Sequence, residues 1–172
     1  MKRKIVLGIH PFTRGFGWVV FEAPNDLLDW GVVSKRKDRN ARCRKAIGRL
    51  INRYEPDLVV LEDWRRLRRA KRIQALYREI ETLCAQRHIR CCKASPSNIR
   101  KSLALDPAAN RHAVASAIAA RIEAIRDRLP RPRTPWDNEH PNMALFNAAA
   151  AALAMLTRQK PSTPATPGAP DE

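Results

Sequence analysis

Apolar and polar positions fall along this chain in blocks whose period changes. Ile5, Val6, Leu7, Gly8 and Ile9 make a short apolar run of β-branched character, the pattern of a strand buried on both faces. His10 stands at its end. Pro11, Gly15 and Gly17 predict a tight reversal, Pro11 by presetting φ and the glycines by admitting backbone conformations closed to other residues. The chain then re-enters as a second strand over Trp18 to Phe21, and after the turn cluster Pro24, Asn25 and Asp26 a third strand is predicted over Leu28 to Ser34. Three sequential antiparallel strands follow from this pattern.

Beyond them the period lengthens. Ile47, Leu50, Ile51 and Tyr54 recur at helical spacing, predicting an amphipathic helix from Arg39 to Tyr54 with Asn40 as its N-cap and Pro56 beyond its end. Asp57 to Leu61 is another short apolar strand. The helix before it is a crossover, so this strand lies parallel to the first, with Glu62 at its C-terminal end. Ile73, Leu76, Tyr77, Ile80, Leu83 and Cys84 line one face of a helix predicted over Trp64 to Arg87. Ile89 to Lys93 reads as a last buried strand, and Ser95 or Ser97 as the cap of a short helix running to Leu103. Val114, Ile118, Ile122, Ile125 and Leu129 mark one stripe of a further helix. After the loop LPRPRTPWDNEHP, a helix from Asn142 to Thr157 is so rich in Ala, Leu and Met that it must be packed on most sides. The expected architecture is α/β, a mixed five-stranded sheet of three antiparallel and then parallel strands flanked by helices. One domain over residues 1–157 and a disordered Pro-rich tail over 158–172 complete it.

Charge changes the picture. The 172 residues carry 33 Lys+Arg against 17 Asp+Glu, a formal charge of +16, which points to a polyanionic partner and to nucleic acid first. Cys43, Cys84, Cys91 and Cys92 contain no CxxC pair, and the adjacent Cys91 and Cys92 would point to opposite faces of a strand, so a structural zinc site is not expected. The chain has no apolar segment long enough to span a membrane and no signal-peptide pattern, and a cytoplasmic protein with reduced thiols is expected.

In this topology His10 and Glu62 are neighbours at one edge of the sheet, a place where metal sites form. Asn147 is the one polar side chain in MALFNAAAAALAM, and a buried amide is costly unless paired, so it needs a partner for which His10 and Glu62 are the candidates. His10 reads equally as a metal ligand or as a structural histidine, and Asn147 as a ligand or as a polar anchor of the core.

With these residues in place, the chain resembles the RuvC-type Holliday-junction resolvases of the RNase H-like superfamily from Lys4 to about Thr157. LGIHPFTRGFGW is similar to the family's LGIDPGxxxTGW hairpin, PDLVVLED to its strand ending in a catalytic glutamate, and ALFNAAAAALA to the helix carrying its last acid. SPSNIRKSL and NRHAVASAIAARI are similar to two further family stretches. The resemblance implies an RNase H-like fold and a site of acidic or His residues holding Mg²⁺ or Mn²⁺ for phosphodiester hydrolysis, with Glu62, His10 and Asn147 in the catalytic positions and Glu62 and His10 as metal ligands. It also implies branched DNA as partner and a homodimer. The match is partial: His10 replaces the first aspartate, Asn147 the last, Ala144 stands one turn earlier, and Phe12 occupies a glycine position. Loss of two carboxylates weakens Mg²⁺ severely, whereas Mn²⁺ or Zn²⁺ tolerates imidazole. Asp137, Glu139 and His140 of the WDNEH loop are possible relocated ligands.

Arg65, Arg66, Arg68, Arg69, Lys71 and Arg72 place six cations in eight residues directly after Glu62, either a solvated face or a phosphate-binding run. Arg100, Lys101 and Arg111 form a second basic cluster expected across the cleft, and Trp64 is a candidate for base stacking or for the core. The expected function is a divalent-metal-dependent endonuclease acting on branched or structured DNA. The alternative is a pseudo-nuclease that binds such DNA without hydrolysing it or serves as a subunit of a nucleoprotein assembly, and RNA is the weaker candidate ligand.

Overall fold

The computed structural model describes residues 2–23, 26–66 and 68–158. The opening apolar run continues through His10 as strand β1 (Ile5–Phe12), and β2 (Gly15–Glu22) pairs with it antiparallel, so the reversal is confined to Thr13 and Arg14. Gly15 and Gly17 therefore lie in a strand and not in the turn, and no glycine among the described residues has a positive φ. Their value is the missing Cβ. One built on Gly17 would lie 2.3 Å from the carbonyl carbon of Ala144, and one on Gly8 would lie 2.6 Å from the carbonyl oxygen of Ala148.

Strands β3 (Asp26–Ser34), β4 (Leu58–Glu62) and β5 (Arg90–Ala94) complete a sheet of order β3-β2-β1-β4-β5, antiparallel across β3, β2 and β1 and parallel across β1, β4 and β5. This is the mixed sheet that the hydrophobic pattern predicts. Helices α1 (Arg39–Tyr54) and α2 (Lys71–Gln86) cover one face, where Leu7, Ile9, Phe16, Val59, Leu61 and Tyr77 are buried. Helices α3 (Pro96–Ser102), α4 (Arg111–Arg121) and α5 (Asn142–Arg158) cover the other, over Val6, Val19, Phe21, Leu58 and Val60. Cys91 packs against the first core and Cys92 against the second, as strand alternation requires.

Three boundaries differ from the sequence pattern. The helix predicted from Trp64 begins only at Lys71, after a 3-10 turn over Trp64–Arg66. Cations at a helix start face both mutual repulsion and the positive end of the helix dipole, and Arg65, Arg66, Arg68 and Arg69 stay outside the helix while Lys71 and Arg72 open it. Asp38, not Asn40, is the N-cap of α1; Asn40 instead donates to the Arg72 carbonyl (3.0 Å) and accepts from its guanidinium (3.1 Å), joining the starts of α1 and α2. The stripe from Val114 to Leu129 is also not one helix. α4 stops at Arg121, Ile122 is extended, and a 3-10 turn over Glu123–Arg128 carries the buried Ile125. Ser95 and Asn110 cap α3 and α4 through their side chains. The tail from residue 159 and the turn residues Pro24 and Asn25 lie outside the described residues. Among the described residues no helix is long and apolar enough to cross a membrane.

Candidate functional site

Register brings the first pair together. β1 and β4 are parallel with Gly8 opposite Val60, and two residues further along each strand are His10 and Glu62, on the sheet face that α5 covers. The imidazole Nδ1 lies 3.4 Å from Glu62 Oε2. Close packing of α5 supplies the third member: with Ala148 over Gly8 and Ala144 over Gly17, Asn147 comes down between them and its Nδ2 donates to His10 Nε2 at 3.4 Å. His10 is 2% exposed and Glu62 7%.

The basic stretches provide the rest. The guanidinium of Arg69 lies 3.1 Å from Glu62 Oε2 and that of Arg111 lies 3.5 Å from Oε1, so both carboxylate oxygens face a cation. Arg69 comes from the irregular stretch before α2, and Arg111 is the first residue of α4, directly after its Asn110 cap. Burial pushes the His10 imidazole well below its ordinary value, and Arg111 and Arg69 push it the same way. His10 is therefore neutral, with Nε2 accepting from Asn147 and its proton on Nδ1. Among the described residues that nitrogen has no hydrogen-bond partner, nor do the buried Nε of Arg69 and hydroxyl of Tyr77. Burial and the nearby Glu62 raise the Tyr77 phenol far above its ordinary range.

The divalent ions that the resemblance implies do not fit this donor set as it stands. Glu62 is the one carboxylate and both its oxygens face guanidinium groups, while one imidazole nitrogen is taken by an amide. Two cations against one anion leave the cluster net positive, the opposite of what a pair of hard cations needs. Among the described residues no group of three or more His, Cys, Asp or Glu side chains is arranged to hold a metal. Asp137, Glu139 and His140 line a separate cleft and do not join Glu62 and His10.

The remaining cations divide. Arg65 is exposed, over the Trp64 ring and 3.5 Å from Glu81; Arg68, Lys71 and Lys101 are exposed; the side chain of Arg66 lies outside the described residues. Arg72 is spent on the fold, bonded to Asn40 and to the Thr13 carbonyl. Arg100 donates to the Ala109 carbonyl (3.0 Å) and lines a cavity of about 160 Å³ with Glu62, Asn110, Arg111 and Asn147. Trp64 is not available to a base: it is buried, stacked on Tyr77 at 5.3 Å, with its indole nitrogen donating to Glu81. Tyr77 escapes the sequence pattern, where it reads only as part of an apolar helix face. Arg111, a candidate there, lines both the small cavity and a larger cleft of about 550 Å³ with Arg131, Arg133, Glu139 and Met143.

No protein-family model matches the chain, and no curated protein matches it significantly. Solved structures do. RuvC of Thermus thermophilus superposes with a TM-score of 0.66 at 20% identity, over 89% of this chain and 93% of that one. The same protein in complex with a Holliday-junction substrate gives 0.65 at 18% identity, over 90% and 93%. The Fowlpox virus resolvase, bound to Holliday-junction DNA, gives 0.59 at 13% identity, over 91% and 99%. The chain thus has the RNase H-like fold of these resolvases over nearly the whole of its described length.

Proposed function

We propose that this chain, with the fold of the Holliday-junction resolvases, binds branched DNA through phosphate contacts and does not hydrolyse it. The observation that carries this reading is the pair of guanidinium groups on Glu62: where metal-dependent hydrolysis needs an anionic pocket, this pocket is cationic. A phosphate approaching the cleft meets Arg69, Arg111 and Arg100, and can take the place of Glu62 on the first two. Arg65, Arg68, Lys71 and Lys101 extend the positive surface along the backbone, with contacts that are largely independent of sequence. The net charge of +16 and the junction-bound state of two proteins of this fold support the same ligand class.

A specific observation favours a second reading. Among the described residues His10 Nδ1 has no hydrogen-bond partner and it faces Glu62, so once DNA has drawn Arg69 and Arg111 away, a shift of the imidazole proton to Nε2, with the Asn147 amide turned so that its oxygen accepts it, leaves Nδ1 and Glu62 to share a single Mn²⁺ or Zn²⁺ ion. The test is a labelled four-way junction offered to the wild-type protein in EDTA, Mg²⁺, Mn²⁺ and Zn²⁺, beside an RNA duplex of equal length. Binding that survives EDTA, with every strand intact in each metal, is the expected result. Metal-dependent cleavage that disappears in Glu62→Ala would overturn it in favour of the second reading, and preference for the RNA would overturn the choice of DNA.

A further inference from the structure

The cleft that shares Arg111 with the Glu62 cluster is bordered by a loop whose most conspicuous side chain has no role in the contacts described so far. Trp136 is 90% exposed, while Leu28, the other exposed large apolar residue among those described, is 48% exposed on the edge strand β3. An exposed indole offers a flat apolar face with a polar edge, the amphipathic surface enriched where proteins bind. The ring is also held on a preformed base. Pro135 and Trp136 occupy the centre of a turn in which the Asp137 amide donates to the Thr134 carbonyl (3.1 Å), and the Thr134 amide and hydroxyl donate to the Asp137 carboxylate (3.2 and 2.6 Å). Those two bonds hold the Asp137 carboxyl below its usual range.

Both ends of the loop are pinned to helices. His112 of α4 donates to the Pro130 carbonyl (3.1 Å), and the Asn142 side chain at the start of α5 donates to the Arg128 carbonyl (3.1 Å). Arg131 and Arg133 are exposed on the same loop and line the cleft with Arg111. Asp137 is committed to Thr134, and Glu139 is the other carboxylate of the lining, an acceptor suited to a base amino group. An exposed aromatic ring on a loop that also carries two exposed guanidinium groups matches a nucleotide: the ring stacks on the base and the cations meet neighbouring phosphates.

Resting on the DNA-binding reading above, we propose that Trp136 is a stacking platform for a base face left unstacked at the branch point, with Arg131 and Arg133 on the flanking phosphates. Within a continuous duplex both faces of every base are already stacked and offer nothing to an indole. A branch exposes base faces, so the platform selects branched over linear DNA, and its loop supplies Arg131 and Arg133 to the cleft that Arg111 also lines.

The test titrates wild type, Trp136→Ala and Trp136→Phe with a four-way junction and with a linear duplex of equal length, and repeats the junction titration with 2-aminopurine at the branch. Trp136→Ala is expected to lose about tenfold in junction affinity, the size of one base–aromatic stack, and less than about twofold for the duplex. Trp136→Phe retains most of the preference, and the 2-aminopurine fluorescence is quenched by wild type and not by Trp136→Ala. Equal losses on both DNAs, or no loss on either, would overturn the platform while leaving DNA binding intact. A wild type that binds no DNA would overturn both readings. Self-association abolished by Trp136→Ala with junction affinity unchanged would reassign the turn to contact between copies of this chain and overturn the platform.

Discussion

The wall of the Glu62 cluster and its mouth are built by opposite means. On the wall, α5 meets β1 and β2 backbone to backbone, with Ala148 over Gly8 and Ala144 over Gly17, and Asn147 is carried into place by that packing. At the mouth, Arg69 comes from an irregular stretch and Arg111 from the first residue of a helix, and each holds Glu62 by its side chain alone. Displacing the wall deforms the sheet. The mouth can exchange Glu62 for another anion without moving a strand, as the proposed phosphate binding requires.

The sharpest way to break this comparison is to fill the wall. Gly17→Ala places a methyl carbon within 2.3–2.5 Å of the Ala144 and Leu145 backbone, and a loss of about 3 kcal/mol is expected from an overpacked site with no flexible neighbour. Urea unfolding measures it; a variant with the wild-type midpoint would mean that α5 is not locked against β2. Second in size is removal of the mouth. Arg69→Ala with Arg111→Ala, combined with Glu62→Gln so that no unpaired carboxylate stays buried, should weaken junction binding more than about tenfold and reduce the salt slope by about 1.8, from a slope of about 0.9 per phosphate contact. An unchanged slope would show that neither arginine reaches a phosphate.

The third prediction concerns pH. His10 titrates in the folded protein well below its ordinary value of 6.5, so between those two values the unfolded chain binds a proton that the folded chain does not. The stability it contributes is complete above 6.5 and is lost as pH falls, with a slope approaching about 1.4 kcal/mol per pH unit. Thermal or urea unfolding of wild type and His10→Asn across that window separates this term, and parallel curves for the two proteins would count against a neutral buried imidazole. The smallest effect has the most informative sign. Glu62→Gln removes the anion that competes with DNA for both guanidinium groups, so junction affinity in EDTA should rise about fivefold, about 1 kcal/mol. A fall in affinity would mean that Glu62 orders the arginines for DNA rather than competing with it.

Much of this molecule follows from local pattern. A period-two or apolar run specifies a strand and a 3.6-residue stripe specifies a helix, because the side chains themselves must find one face. Hence the five strands, α1 and α5 lie close to where the pattern puts them, and the parallel pairing of β1 with β4 brings His10 level with Glu62. What the pattern misses is set by neighbours distant in the chain. Gly15 and Gly17 read as turn formers because propensity concerns φ, whereas their value is the space above them, which depends on α5. The start of α2 moves to Lys71, just ahead of Ile73 where its apolar stripe begins, because the cations before it oppose the helix dipole. Above all, the sequence shows Arg69 and Arg111 as two cations in separate basic runs. Only the fold sets both beside one carboxylate, because Coulomb pairing acts through distance in space and leaves no period to read.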